Sequence, residues 1–301
     1  MGQENEDQID VAAAPVPLHG RGRWESGMRR LEVTSADGLK LAAYEAGNGS
    51  GPEILFIHGF SQCAECWEPQ FYDPLLSGRF RLTAFDLRGH GASDKPASPD
   101  RYAEDRLFAD DVKAIMDALG LKRPLLVGWS YAGRIIGDYL EAYGTGRIAG
   151  INYVCARTNN QPEFVGPGND HLAAMIGEDG AADLAATRAF VRACFARQPS
   201  RDMLERIVDY NMLVPAHVRA AHLSRPPSDG AVLQTIDVPV LVTQGDQDLL
   251  VTKGLGELTA SLVPSARLSM FEGVGHTPFV EDVVRFNREL AEFAAAAHAR
   301  R

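Results

Sequence analysis

Three kinds of side chain in this sequence could together turn an alcohol into a nucleophile: a serine, a histidine and a carboxylate. The serine is Ser130, in the stretch Leu125-Leu126-Val127-Gly128-Trp129-Ser130-Tyr131-Ala132-Gly133. The apolar run before it stops at a glycine. The residues after it, Arg134-Ile135-Ile136-Gly137-Asp138-Tyr139-Leu140, have the apolar spacing of a helix. A strand entering a helix through so tight a turn puts the middle side chain at the apex, in strained backbone, with the first helical N–H groups pointing toward it. Small residues at Gly128 and Ala132 let strand and helix nearly touch on either side. A serine hydroxyl is a weak nucleophile at neutral pH, so it needs a base to take its proton and a carboxylate to orient that base. The carboxylate candidates are Asp246 and Asp248, after the apolar run Val240-Leu241-Val242-Thr243. The base candidate is His276, in Gly273-Val274-Gly275-His276-Thr277-Pro278, after Leu268-Ser269-Met270-Phe271. Both follow strand-like runs, and open α/β sheets place ligands at the C-terminal ends of their strands. The chemistry such a set performs is acyl transfer.

The elements that must position these side chains are legible in order. Leu31–Thr34 and Leu39–Tyr44 flank Asp37-Gly38, a hairpin signal. Glu53–His58 contains the continuous apolar run Ile54-Leu55-Phe56-Ile57, as expected of a strand buried on both faces of a parallel sheet. Phe80–Asp86 and Ile148–Cys155 read as further strands. A helix is expected over Arg101–Leu119, with Phe108, Val112, Ile115 and Leu119 on one face and Gly120 ending it. After Arg157 the alternation stops, and apolar groups at helical spacing are separated by Gly- and Pro-containing breaks up to Gly230. Strand–helix alternation returns with Val238–Thr243, a helix after Val251, and Arg267–Phe271. A final helix carries Phe279, Val283, Phe286, Leu290 and Phe293. Repeated β-then-α units predict an α/β fold with a doubly wound, mostly parallel sheet. The expected organisation is an unordered lead over 1–23, a core made of 24–156 and 231–301, and a helical cap over 157–230 lying on the sheet's C-terminal edge.

Composition excludes several classes of partner. The chain of 301 residues is 45% apolar and 23% charged, the balance of a globular protein. A formal charge of −10 argues against nucleic acid or an anionic membrane surface, both of which need a basic face. No apolar run is long enough to span a bilayer, and the acidic, polar start lacks a secretory h-region. Four cysteines in a chain of this length do not form a disulfide framework, so a cytoplasmic enzyme is expected.

The elbow around Ser130, with the order Ser, Asp, His, resembles the α/β-hydrolase superfamily from about Leu31 onward. It is most similar to the branch labelled non-haem chloroperoxidase or carboxylesterase. The resemblance implies an eight-stranded sheet and an acid at Asp248, counted as Gly-x-x-Asp from Gly245. It also implies an oxyanion loop at His58-Gly59-Phe60-Ser61-Gln62. The Tyr131 and Phe60 backbone N–H groups would then hold the developing oxyanion, with Trp129, Phe60 and Tyr131 contacting substrate. Two departures are visible: Ala132 stands where glycine is usual, and Ser61 replaces the proline that members with perhydrolase activity often carry. A serine rather than an aspartate at the apex speaks against haloalkane dehalogenase and epoxide hydrolase chemistry. The implied activity is cofactor-free hydrolysis of small, mostly apolar esters or lactones by a monomer or homodimer. Two alternatives share these residues: C–C bond hydrolysis of vinylogous diketones, and a low-turnover ligand-binding protein on the same fold.

Other conspicuous residues have plainer readings. His58 and the run Asp86-Leu87-Arg88-Gly89-His90-Gly91-Ala92-Ser93-Asp94 are expected to brace loops. Asp110 and Asp111 are expected to form a solvated or loop-bracing helix face. Cys63 and Cys66 form a C-x-x-C with no second pair or spaced histidines to complete a metal site, so free thiols near the pocket mouth are expected. His171, His217 and His222 fall at no ligand spacing and are assigned to surface or packing roles.

Overall fold

The computed structural model describes residues 24, 27–177 and 179–300, so the expected lead over 1–23 lies outside the described residues. Eight strands form one sheet: β1 (Arg29–Thr34), β2 (Lys40–Gly47), β3 (Glu53–Ile57), β4 (Arg81–Phe85), β5 (Leu125–Trp129), β6 (Gly150–Val154), β7 (Val240–Gly245) and β8 (Ala266–Phe271). Their order is β1-β2-β4-β3-β5-β6-β7-β8. The pairs β1–β2 and β2–β4 are antiparallel and the other five parallel.

Strand periodicity divides the apolar side chains between two faces. In β3, Leu55 and Ile57 join a core with Phe108 and Val112 from helix Asp105–Ala118 and Ile135 and Ile136 from helix Ala132–Tyr143. Ile54 and Phe56 point the other way, to Trp67, Phe71, Phe279, Phe286 and Leu290. These four apolar β3 side chains are fully buried. Each such burial is worth on the order of 2 kcal/mol, which is why this strand reads as an unbroken apolar run. The β1–β2 hairpin closes where expected, with Gly38 at φ +83° and its N–H donating to Ser35 O.

Most strand ends shift by one to three residues from the sequence expectation, and three differences have a visible cause. The helix expected from Arg101 begins at Asp105, because Pro99–Tyr102 forms a separate 3₁₀ turn and Glu104 is extended. The strand expected over Ile148–Cys155 is shorter, since Cys155 turns to φ +43°. The final helix is split into Pro278–Glu281 and Val283–Ala299 by Asp282 at φ −135°, ψ 60°. The split lets the Glu281 carboxylate accept the N–H groups of Gly275, Ala196 and Arg197 at 2.9–3.0 Å.

Between β6 and β7 lie helices Leu172–Met175, Gly180–Ala193, Arg201–Met212 and Ala216–Leu223. Asp179 and Ser200 cap the second and third through side-chain oxygens. Phe190, Val191, Leu204, Val208 and Val218 carry the core on into this segment. Among the described residues no helix is long and apolar enough to cross a membrane.

Candidate active site

Ser130 sits where β5 passes into helix Ala132–Tyr143, at φ +55°. That region costs a residue with a Cβ roughly 1–2 kcal/mol, and three hydrogen bonds hold it there. Ser130 N–H donates to Val154 O at 3.0 Å, and Ser130 O accepts from Gly133 N–H at 2.9 Å and Arg157 N–H at 2.8 Å. The facing loop comes so close that a Cβ on Gly59 would stand 3.1 Å from Ser130 Cβ.

The other two candidate groups come from the ends of β7 and β8. His276 Nδ1 lies 2.7 Å from Asp248 Oδ2, and both side chains are essentially inaccessible to solvent. Asp248 Oδ1 accepts the N–H groups of Leu250 and Val251 at 2.8 and 3.0 Å, and Gln244 Nε2 donates to Oδ2 at 3.2 Å. The carboxylate is therefore fixed on both oxygens, and the proton it attracts belongs on His276 Nδ1. That leaves Nε2 as the basic nitrogen. Among the described residues neither His276 Nε2 nor Ser130 Oγ makes a hydrogen bond. Hydrogen bonds between a nucleophile and its base are often long or unmade before substrate binds. His276 N–H donates to Cys194 O at 2.8 Å and its carbonyl accepts from Trp129 Nε1 at 2.8 Å, so the loop is tied on both sides. Neither the N–H of Phe60 nor that of Tyr131 has an acceptor among the described residues. Two donors beside the apex are thus free.

Ser130 opens onto a cleft of about 360 Å³ lined by Phe60, Tyr131, Arg157, Asn169, Phe190 and Leu250, among others. Cys155 is packed beside Asp248 and His276, with potential ligand atoms of all three within 4.8 Å of one another. Burial pushes the Cys155 thiol well up, and its Sγ–H donates to Gly275 O at 3.8 Å. It is a neutral packing group there rather than a thiolate ligand.

A model of the alpha/beta hydrolase family matches residues 54–289. The chain belongs to that family. The non-heme chloroperoxidase of Streptomyces lividans is 27% identical over 264 residues, 81% of this hydrolase and 92% of the relative. The esterase RhEst1 of Rhodococcus sp. ECU1013 superposes with a TM-score of 0.82 at 32% identity, over 90% of this hydrolase and 99% of that chain. A protein of Burkholderia cenocepacia, provisionally described as an aryl esterase, gives 0.87 at 37% identity, over 90% and 100% of the two chains. The hydrolase therefore falls in the chloroperoxidase and esterase branch that its sequence resembles.

Several side chains lie elsewhere than expected. Trp129 does not reach the Ser130 cleft. Its indole packs on Phe279 and lines a second, apolar cavity of about 440 Å³ with Cys66, Val191 and Ile207. Cys63 and Cys66 are free but buried thiols: Cys66 lines the second cavity, and neither borders the Ser130 cleft. Of the two readings for Asp111, loop-bracing holds and solvated does not: it is wholly buried, accepting from Arg88 Nε and Nη2 at 2.7 Å and from Ser35. Asp110 is half-buried against Arg106. His58 braces the loop, Nδ1–H to Gly59 O at 2.8 Å and Nε2 accepting Leu87 N–H at 3.0 Å. Burial pushes its pKa down to about 4, so it is neutral. Asp86 holds Ala64 and Ala92 N–H at 2.7 and 2.8 Å. His217 is exposed, while His222 is buried among rings. Cys155 and Arg157 escaped the sequence reading; their position at the end of an apolar run, facing the elbow, was the available signal.

Proposed function

We propose that this α/β hydrolase is a serine esterase acting on small carboxylic esters or lactones with a mostly apolar body. The observation that carries the reading is the Asp248–His276 pair, placed on the same sheet edge as a strained Ser130 flanked by two unpaired N–H groups. Ser130 Oγ attacks the carbonyl carbon while His276 Nε2 takes its proton, forming the Oγ–C bond. The imidazolium is stabilised by Asp248, and the oxyanion by the Phe60 and Tyr131 N–H groups, each worth on the order of 3 kcal/mol in the transition state. His276 returns the proton to the leaving alkoxide as the ester C–O bond breaks. Water then repeats the sequence on the acyl-enzyme and releases the acid. Every proton and charge is handled by the chain's own groups, so the reaction calls for no cofactor. The helices over 172–223 serve as the cap, with Leu172, Phe190 and Leu223 giving the cleft its apolar side.

The test pairs a fluorophosphonate with turnover of 4-nitrophenyl butyrate. The reagent should add to Ser130, located by peptide mass, and abolish activity. Ser130→Ala should lower kcat by a factor on the order of 10⁴ or more. A folded protein that turns over the ester but is not labelled at Ser130 would falsify the covalent mechanism.

A further inference from the structure

Among the described residues, the arginines whose side chains are fully buried all meet a carboxylate. Arg88 meets Asp111 and Asp37, Arg219 meets Asp183, and Arg225 meets Asp105 and Asp138. Arg134, nearly as buried, shares Asp105. This is the expected pattern, because a guanidinium removed from water stays charged and needs a counter-charge. Arg157 breaks it. Its side chain is partly buried in the wall of the Ser130 cleft, and among the described residues no carboxylate oxygen lies within salt-bridge distance. Its one polar side-chain contact is neutral: Nη2 donates to Asn169 Oδ1 at 3.3 Å. Asn169 is pinned in turn, its amide N–H groups donating to Gly166 O and Leu250 O at 2.9 and 2.8 Å, so its oxygen is held toward the guanidinium. The Arg157 backbone is fixed to the apex itself through the 2.8 Å bond to Ser130 O. One donor of the fork is thus oriented by the protein, and Arg157 lines the cleft beside the serine with no carboxylate within salt-bridge distance among the described residues.

We infer that Arg157 anchors a free carboxylate of the substrate, so that the preferred substrates are esters or lactones with an apolar body and one further carboxylate. This rests on the serine-hydrolase reading of the site. The planar fork of arginine matches a carboxylate bidentately. The partly dehydrated wall strengthens the pairing relative to open water. Burial lowers the Arg157 pKa from the ordinary guanidinium value, with Tyr131 and Asp248 pulling the other way, which is the signature of a cation short of partners. The overall charge of −10 repels anions from the surface as a whole, so recognition of one requires a local cation of this kind.

The experiment measures kcat/KM for pairs of esters that differ only in a free carboxylate or its methyl ester. One arm puts the carboxylate on the acyl side, as mono-4-nitrophenyl succinate, glutarate and adipate; the other puts it on the alcohol side, as 3-acetoxybenzoate. The wild type should prefer the free acid by about 10- to 100-fold in one of the arms. In Arg157→Met the ratio should fall to about one, and the ratio within one enzyme cancels any general loss of activity. Arg157→Gln, which keeps a donor for Asn169 and removes the charge, is the second variant should methionine impair folding. A wild-type preference for the neutral ester in both arms, or a ratio unchanged in the variants, overturns the inference while leaving the esterase reading intact. Should no ester be hydrolysed and Ser130 resist the phosphonate, the esterase reading fails on its own. Glutarate then decides about Arg157: a rise in melting temperature for the wild type and not for Arg157→Gln upholds the anchor, and no rise in either removes it.

Discussion

Asp246 and Asp248 stand two residues apart past β7, and their side chains do different work. Asp246 Oδ1 accepts the Gly273 N–H at 2.7 Å and ties the ends of β7 and β8 together. Asp248 turns inward, spends one oxygen on two backbone N–H groups and offers the other to His276. Asp248→Asn keeps the backbone contacts but faces His276 Nδ1–H with an amide N–H. The ring must then carry its proton on Nε2, where it is no base. We expect kcat to fall by a factor on the order of 10⁴ while the melting temperature changes little. Asp246→Asn keeps an acceptor for Gly273 and should leave kcat within about threefold, since a surface-sited hydrogen bond is worth on the order of 1 kcal/mol. Kinetics and melting of the two variants side by side check this, and the reverse pattern would move the acid to Asp246. Spacing alone left both aspartates open. The family count from Gly245 favoured Asp248, but the deciding fact, which carboxylate meets the imidazole, depends on a contact between positions 28 residues apart.

At the scale of elements, the tip where β7 and β8 meet sets the register of Asp248 and His276. A Cβ on Gly245 would stand 1.9 Å from Gly275 O and 2.4 Å from Val274 O, backbone atoms of the loop that carries His276. Gly245→Ala must push that loop away from Asp248. We expect kcat to drop by a factor on the order of 100, with KM less affected and a destabilisation of roughly 1–3 kcal/mol. Gly120→Ala is the control: its φ of +65° makes alanine strained, yet nothing lies within 4 Å, so stability should suffer and kcat should not. Elements of this kind were legible wherever one strand or helix buries a regular face, as in β3 or helix Asp105–Ala118. The break at Asp282 was not. It follows from the partners of Glu281, and Ala196 and Arg197 lie 85 and 84 residues away in sequence, beyond the reach of any periodicity.

At the scale of the whole molecule, three buried histidines join the loop after β3, the loop after β4 and the segment between β6 and β7. His58 and His90 have ring centroids 5.1 Å apart, and His90 and His222 4.8 Å. The sequence marks each singly as a brace or a packing residue, but their meeting is a property of the assembled fold. Around His222 stand Phe108, Tyr102 and Tyr131, and among the described residues neither of its ring nitrogens has a hydrogen-bond partner. Burial lowers all three pKa values; His222 is lowered further by Arg225, and His90 further by His222 and His58. The unfolded chain titrates near 6.5, so between 6.5 and the lower folded values it binds more protons than the native state. The penalty is absent above pH 6.5 and grows as pH falls. For His58, with a folded value of about 4, it reaches about 2.5 kcal/mol by pH 4.5, or roughly 5 °C in melting temperature. The protein should therefore melt several degrees lower at pH 4.5 than at pH 7.5. His222→Leu, close in volume and without an ionisable group, should narrow that difference whatever it does to stability at pH 7.5. Melting curves of both proteins across this range check the argument. An equal slope in the two would mean that His222 stays neutral in the unfolded chain or charged in the folded one. The first conflicts with the ordinary titration of an unfolded histidine, and the second with an imidazole packed among aromatic rings and beside the Arg225 and Arg88 guanidinium groups.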